Sequence, residues 1–366
     1  MTESCDVGSL PLVGDYKKFL EGATRFGTPS ADDSVRYFQQ KVVEAFLDKV
    51  HAGIDVPSFP QFRDMNEMFL DVIDGVEKLK GGGYTETRIP FIKAGRRQIP
   101  EATALKRGVQ EIERGGEPFK IRICVTGPYT LSSFFTYRDS KIFTRLGDVI
   151  SQIVESNVFS EKHASVSLVS VDEPAFGLLD DPLIDYGSEG RENLRKAWES
   201  IFYVASSKGA KTIIHLHNTA DELFWEVEPL NIVESHIGDP VYEMKKTKER
   251  LEATDKFLKA SVSITNFDKL IRDDVVRASP QRMSETTINQ KVADVWKDVS
   301  KGKIDSKVFL EKVETMKERL VKIINRFGVE RVPYAGPECG LKGFPTYECA
   351  LECLKRVSSA VKDVAG

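Results

Sequence analysis

The chain has 366 residues, 41% of them hydrophobic and 30% charged, enough to bury the core of one large α/β domain or of two ordinary ones. A formal net charge of −4 argues against nucleic-acid binding, which calls for a basic face, and no run of roughly 18 apolar residues is present to span a membrane. The five cysteines (Cys5, Cys124, Cys339, Cys349, Cys353) do not form a secreted disulfide pattern, and the N-terminal MTESCDVGSLPLVGD lacks the basic and apolar regions of a signal peptide, so a cytoplasmic location is expected.

Short β-rich apolar runs recur along the chain, at Cys5–Ser9, Ile54–Ser58, Phe119–Val125, Ser165–Val171, Lys211–His217, Asn231–Ile237, Phe257–Ile264 and Arg331–Ala335. Between them lie stretches with apolar residues at helical spacing, among them SVRYFQQKVVEAFLDKV, ENLRKAWESIFYVASSKG and VFLEKVETMKERLVKIINRFG. Strands alternating with helices predict a parallel sheet, and about eight of them predict an α/β fold of the (β/α)8 TIM-barrel type, one domain over residues 1–366. Two additions are expected. Residues 80–100, with four glycines and two prolines, suit a β-hairpin excursion over the barrel rim, and the polar stretch 272–304 suits a helical insertion.

In such a barrel the chemistry sits at the C-terminal ends of the strands. Polar residues interrupt the apolar runs there: Asp172 and Glu173 before Pro174, His215 and His217 in KTIIHLHN, Glu234 and His236 in NIVESHIGDP, and Cys339 in the tight turn AGPECGLKG. Side chains two apart on a strand share a face, and neighbouring parallel strands lie about 5 Å apart, so one or both histidines can converge with Glu234 while Cys339 closes the set. Imidazole, carboxylate and thiolate together suit Zn2+ better than Mg2+ or Ca2+, which prefer an oxygen shell. Each residue alone has a plainer reading: a hydrogen-bonded core histidine, a buried thiol, a helix-terminal charge. Cys5 and Cys124 read as core, and Cys349 and Cys353 as the apolar face of the terminal helix.

Taken together, VGSLP, GIDVPSFPQFRDM, VTGPYT, VDEPA, IHLHN and GPECGLK resemble the catalytic domain of cobalamin-independent methionine synthase, almost end to end and in the family's short core form. The resemblance implies a zinc enzyme on a (β/α)8 barrel that methylates the thiol of homocysteine, with a small-molecule thiol as its partner and neither nucleic acid nor membrane. It places the zinc ligands on His215, His217, Glu234 and Cys339, and the contacts to the substrate's amino-acid end on Gly8, Ser9, Gln61 and the catalytic Asp172. A carboxylate at Asp172 suits an α-ammonium, and the backbone N–H groups of the Gly8–Ser9 turn suit an α-carboxylate.

Departures from the family pattern bear on the methyl donor. His217 stands where the family has a cysteine, Phe134 where it has a pterin-stacking tryptophan, Leu178 where it has a glutamate, and Thr265 near its proton-donating histidine. A shell with one thiolate fewer leaves the bound substrate sulfur less electron-rich, which favours a corrinoid-bound or protein-delivered methyl over a folate. Rival readings are an alkyltransferase for another thiol such as coenzyme M, and a metal-free barrel of the uroporphyrinogen decarboxylase kind using a rim arginine such as Arg63. A scaffold with a decayed site is the non-enzymatic alternative.

Overall fold

Most of the apolar runs fold as strands with largely buried side chains, whereas the run Cys5–Ser9 makes only isolated bridges from Cys5 and Ser9, the first strand lying just ahead of it at Glu3–Ser4. In the computed structural model, which describes residues 1–27, 32–109, 117–178, 180–279 and 281–365, the strands of the main sheet are β1 (Glu3–Ser4), β4 (Phe119–Thr126), β5 (Ala164–Glu173), β6 (Lys211–Leu216), β7 (Ile232–Glu234), β8 (Phe257–Ser263) and β9 (Tyr334–Pro337). β2 (Ile73–Lys78) and β3 (Tyr84–Ile92) form a separate antiparallel hairpin. The main sheet is parallel and runs β1-β9-β8-β7-β6-β5-β4, so the first and last strands are neighbours.

The sheet curls until its edges nearly meet. Where the run Ile54–Ser58 predicts a strand, the structure has isolated parallel bridges: Val56 to Cys5 on one edge and Ser58 to Arg122 on the other. Pro57 and Pro60 explain the shortfall, since proline lacks the N–H that a regular ladder uses on both sides. The carbonyl of Pro57 still accepts from the Arg122 N–H at 3.0 Å, and the Val56 N–H donates to the Ser4 carbonyl at 2.9 Å. The last run shifts as well, with Val329–Arg331 forming a 3-10 turn and the strand starting at Tyr334, beyond Pro333.

Helices cover the outer face of the sheet. The helix Asp33–His51 starts at Asp32, whose side chain accepts from the Val35 N–H, and it buries Phe38, Val42 and Phe46, each worth roughly 1.5–3 kcal/mol. The same face also buries Lys49, a cation aimed into the fold. The helix predicted from VFLEKV begins only at Val313, after a 3-10 turn at Ser306–Phe309, and ends at Gly328.

The hairpin turn takes up the glycines at 81–83, and the pairing begins at Ile73, ahead of the expected stretch. Within 272–304 the described residues include the end of the helix Phe267–Arg277 and the helix Glu285–Ser300, which packs Trp296 on Phe267. Pro280 lies outside the described residues. No helix among the described residues is long and apolar enough to cross a membrane.

Candidate metal and substrate site

β5, β6 and β7 align Asp172, His215 and Glu234 as register partners, one row of polar side chains across three adjacent strands. Two residues beyond Glu234 comes His236, two beyond His215 comes His217, and two beyond the end of β9 comes Cys339. The chain has thus placed three imidazoles and a thiol at the C-terminal ends of its strands. Ligand atoms of His215, His217, His236 and Cys339 all lie within 4.8 Å of one another. The His217 and His236 rings are 4.1 Å apart, and Cys339 Sγ is 3.7 Å from His217 Nε2.

The polar atoms of this group are poorly served by protein. Neither ring nitrogen of the buried His215 makes a hydrogen bond of good geometry, and His236 Nε2 is buried without a partner. His215 Nδ1 is 2.8 Å from Glu234 Oε1, on a bent approach. Buried polar atoms are nearly always satisfied, so nitrogens left open around a thiol fit a metal ion. Nitrogen and sulfur donors suit Zn2+ among the common divalent ions.

Burial alone would raise the Cys339 thiol, but the His215, His217 and His236 rings gathered round it hold it well below the usual range. For His215, burial favours the neutral ring yet is outweighed by Cys339 and Glu234, which push it up to about 10. Burial lowers His217.

Of the four residues read as ligands from the sequence, the structure brings His215, His217 and Cys339 into one group, joined by His236. Glu234 stands behind them. Its Oε1 takes Arg122 Nη2 at 2.5 Å and its Oε2 takes Arg122 Nη1 and Lys259 Nζ, each at 3.1 Å, with all three side chains fully buried. Two cations inside the sheet hold this carboxylate well below its ordinary range against the opposing effect of burial.

Asp172 is only 5% exposed, and burial raises its carboxyl to about 6. Ser170, whose hydroxyl donates to Asp172 Oδ1 at 2.6 Å, is its one side-chain hydrogen-bond partner among the described residues. The first loop is built differently from expectation. The Gly8 N–H donates to Asp6 Oδ2 at 3.2 Å and the Ser9 N–H to the Val7 carbonyl at 3.0 Å, so both backbone donors are engaged within the turn. Gly8 holds φ at +83°, a conformation glycine adopts freely. Lys49 braces this turn from outside, donating to Asp6 Oδ2, the Gly8 carbonyl and Ser58.

Gln61 bridges to Ser9 beside the turn, and its amide donates weakly to Met68 Sδ. A β-carbon on Gly340 would fall 1.9 Å from Ser9 Oγ, and the Leu341 N–H donates to the Ser9 carbonyl at 2.8 Å. The first loop and the Cys339 turn therefore touch. Arg63 is locked in a two-pronged pair with Glu101, both bonds 2.7 Å, which removes it as an open anion receptor.

Three supporting residues escaped the sequence reading. Arg122 and Lys259 are charged residues in the middle of apolar strands, and that anomaly was the available signal. Glu338 accepts from the Ile237 N–H and the Thr265 N–H, both at 3.0 Å, tying the loops after β7 and β8 to the turn that carries Cys339.

No protein-family model matches the chain. A 5-methyltetrahydropteroyltriglutamate–homocysteine methyltransferase from Thermotoga sp. strain RQ2 is 25% identical over 177 residues, 46% of this chain but only 24% of that protein's length. A protein named methionine synthase from Sulfurisphaera tokodaii is 26% identical over 183 residues, covering 45% of this chain and 51% of the relative. In fold, a B12-independent methionine synthase from Shewanella sp. W3-18-1, solved with selenomethionine, matches all of this chain and 98% of its own with TM-score 0.63 and 14% identity. A putative vitamin-B12-independent methionine synthase from Listeria monocytogenes matches with TM-score 0.58 at 13% identity, over 99% of this chain and 97% of its own. The chain is thus a weak sequence homologue, over less than half of its length, of proteins named as methionine synthases, spans only about a quarter to a half of those relatives, and shares its fold with two solved proteins named as B12-independent methionine synthases.

Proposed function

We propose that the chain is a zinc-dependent S-methyltransferase that forms methionine from homocysteine, on a closed (β/α)8 barrel with a rim hairpin and a helical insertion. The observation that carries this reading is the meeting of His215, His217 and Cys339, open nitrogens and a thiol, in the row of strand ends that also holds Asp172. The bridges from Val56 and Ser58 to both sheet edges support closure of the barrel.

Zinc held by these residues supplies a Lewis acid that keeps a substrate thiol ionised at neutral pH. The chain's own groups do the rest. Asp172, which makes no direct ion pair among the described residues and is steadied by Ser170, receives the α-ammonium of an amino-acid thiol through a charge-assisted hydrogen bond. With the Gly8 and Ser9 N–H groups engaged, the Ser9 hydroxyl and the Gln61 amide are the groups left for the carboxylate end. Glu234 beside His215 Nδ1 fixes which ring nitrogen faces inward. The partly exposed Phe134 offers a flat pterin a weaker stacking face than an indole, and the exposed Leu178 offers it no hydrogen bond, which favours a methyl carried by a corrinoid or a partner protein.

Metal analysis of the purified protein, followed by methionine assays with methylcobalamin and methyltetrahydrofolate offered separately, tests this. Zinc near one equivalent and zinc-dependent methionine formation are expected. Methylation of coenzyme M in place of homocysteine would redirect the substrate reading. Cys339→Ser should lose most of its zinc while keeping its fold, because a neutral hydroxyl cannot replace a thiolate; full zinc occupancy in that variant would refute the site.

A further inference from the structure

We infer that the fourth protein ligand of the metal is His236 and that Glu234 stays outside the shell as a buried counter-ion, giving three imidazoles and one thiolate. This rests on the metal reading above and concerns which side chains hold the ion before a substrate thiol enters by displacing one of them or expanding the shell to five. The four ligand atoms lie within 4.8 Å of one another, a spread that modest rotamer shifts contract onto bonds of about 2.0–2.3 Å.

Glu234 is kept back by what surrounds it. Both of its oxygens are occupied, by Arg122 through two nitrogens and by Lys259 through one, and Lys259 also donates to the Pro337 carbonyl at 2.6 Å. Turning the carboxylate toward a metal would strip two fully buried cations of their counter-charge and set them beside a dication. His236 has the opposite character. It follows β7 by two residues, its ring lies 4.1 Å from that of His217 and 5.9 Å from that of His215, and its buried Nε2 has no partner among the described residues. With Glu234 at His215 Nδ1, the arrangement is an imidazole ligand oriented by an outer carboxylate.

X-ray absorption at the zinc edge of the zinc-loaded full chain reads the donors directly. Three imidazoles and one sulfur are expected in the wild type. His236→Ala should lose one imidazole, gain a light oxygen donor and bind zinc weaker by about 100-fold or more, since outer-shell changes alone typically cost 10–100-fold. Glu234→Gln should keep the donor count if it folds. Should it not fold, His236→Ala, a loop substitution that leaves the buried ion network intact, still decides the question. Two imidazoles with a carboxylate oxygen in the wild type, or an unchanged imidazole count in His236→Ala, would overturn the assignment while leaving the metal reading standing. A wild-type protein that holds no zinc would overturn both.

Discussion

Asp172 and Glu173 are neighbours in sequence, chemically alike and both buried, yet the two faces of β5 put them to opposite uses. Asp172 faces the row of His215 and Glu234 with a single hydroxyl bound to it. Glu173 faces the helix layer, where Oε1 accepts from the Tyr129 N–H at 3.0 Å and Trp198 Nε1 at 2.8 Å, and Oε2 accepts from the Thr130 N–H at 2.7 Å. A β-carbon on Gly127 would sit 2.2 Å from this carboxylate, so the turn before the helix Pro128–Ser132 is moulded on it. A carboxylate that accepts from three fixed donors is architecture, and one bound by a single hydroxyl is available to a ligand.

The largest test of this contrast is Glu173→Ala. It leaves two backbone N–H groups and an indole N–H buried without acceptors, and should cost about 3–5 kcal/mol in urea unfolding. A loss under 1 kcal/mol would show that water or a neighbour replaces the carboxylate. Asp172→Asn should leave stability within about 1 kcal/mol and zinc content unchanged, but raise KM for homocysteine by about 10–100-fold, the value of one charge-assisted hydrogen bond. Equal losses of metal and substrate binding would place Asp172 in the metal site instead.

The smallest effect is in pH. Burial raises Glu173 from 4.5 to about 7, against the opposing hydrogen bonds from Trp198, Thr130 and Tyr129. The folded state then holds a proton that the unfolded chain has released, so stability falls as pH rises from 4.5 through 7 and levels above that. Against Glu173→Gln, which does not titrate, the wild type should lose at most about 1.4 kcal/mol per pH unit in that window. A flat difference would mean the three donors hold the carboxylate ionised throughout.

The same local alternation made much of the site readable in advance. Strand alternation with polar residues at the ends singles out Asp172, Glu173, His215, His217, Glu234 and His236, and a glycine-rich turn singles out Cys339; of these the structure gathers His215, His217, His236 and Cys339 and sets Glu234 behind them. Alternation could not reveal that Arg122 on β4 and Lys259 on β8 meet at Glu234, since that depends on how far the sheet curls. Nor could it weigh Pro57 and Pro60 against the apolar residues around them, so a full strand was expected where the chain makes only bridges. Nor does alternation show that the first loop's N–H groups are engaged within their own turn, for Asp6 lies in the strand run and its reach to Gly8 is a matter of side-chain rotamer.

The adjacency of β1 and β9 has a bearing on biosynthesis. Cys339 follows β9, and β9 is also the only hydrogen-bonded strand neighbour of β1 among the described residues. A nascent polypeptide halted before Tyr334 would carry all three imidazoles with neither the sulfur nor the β1–β9 seam. Under the zinc reading proposed above, capture waits until the segment bearing Cys339 has emerged, which spares the chain from gripping the ion in a half-made cup.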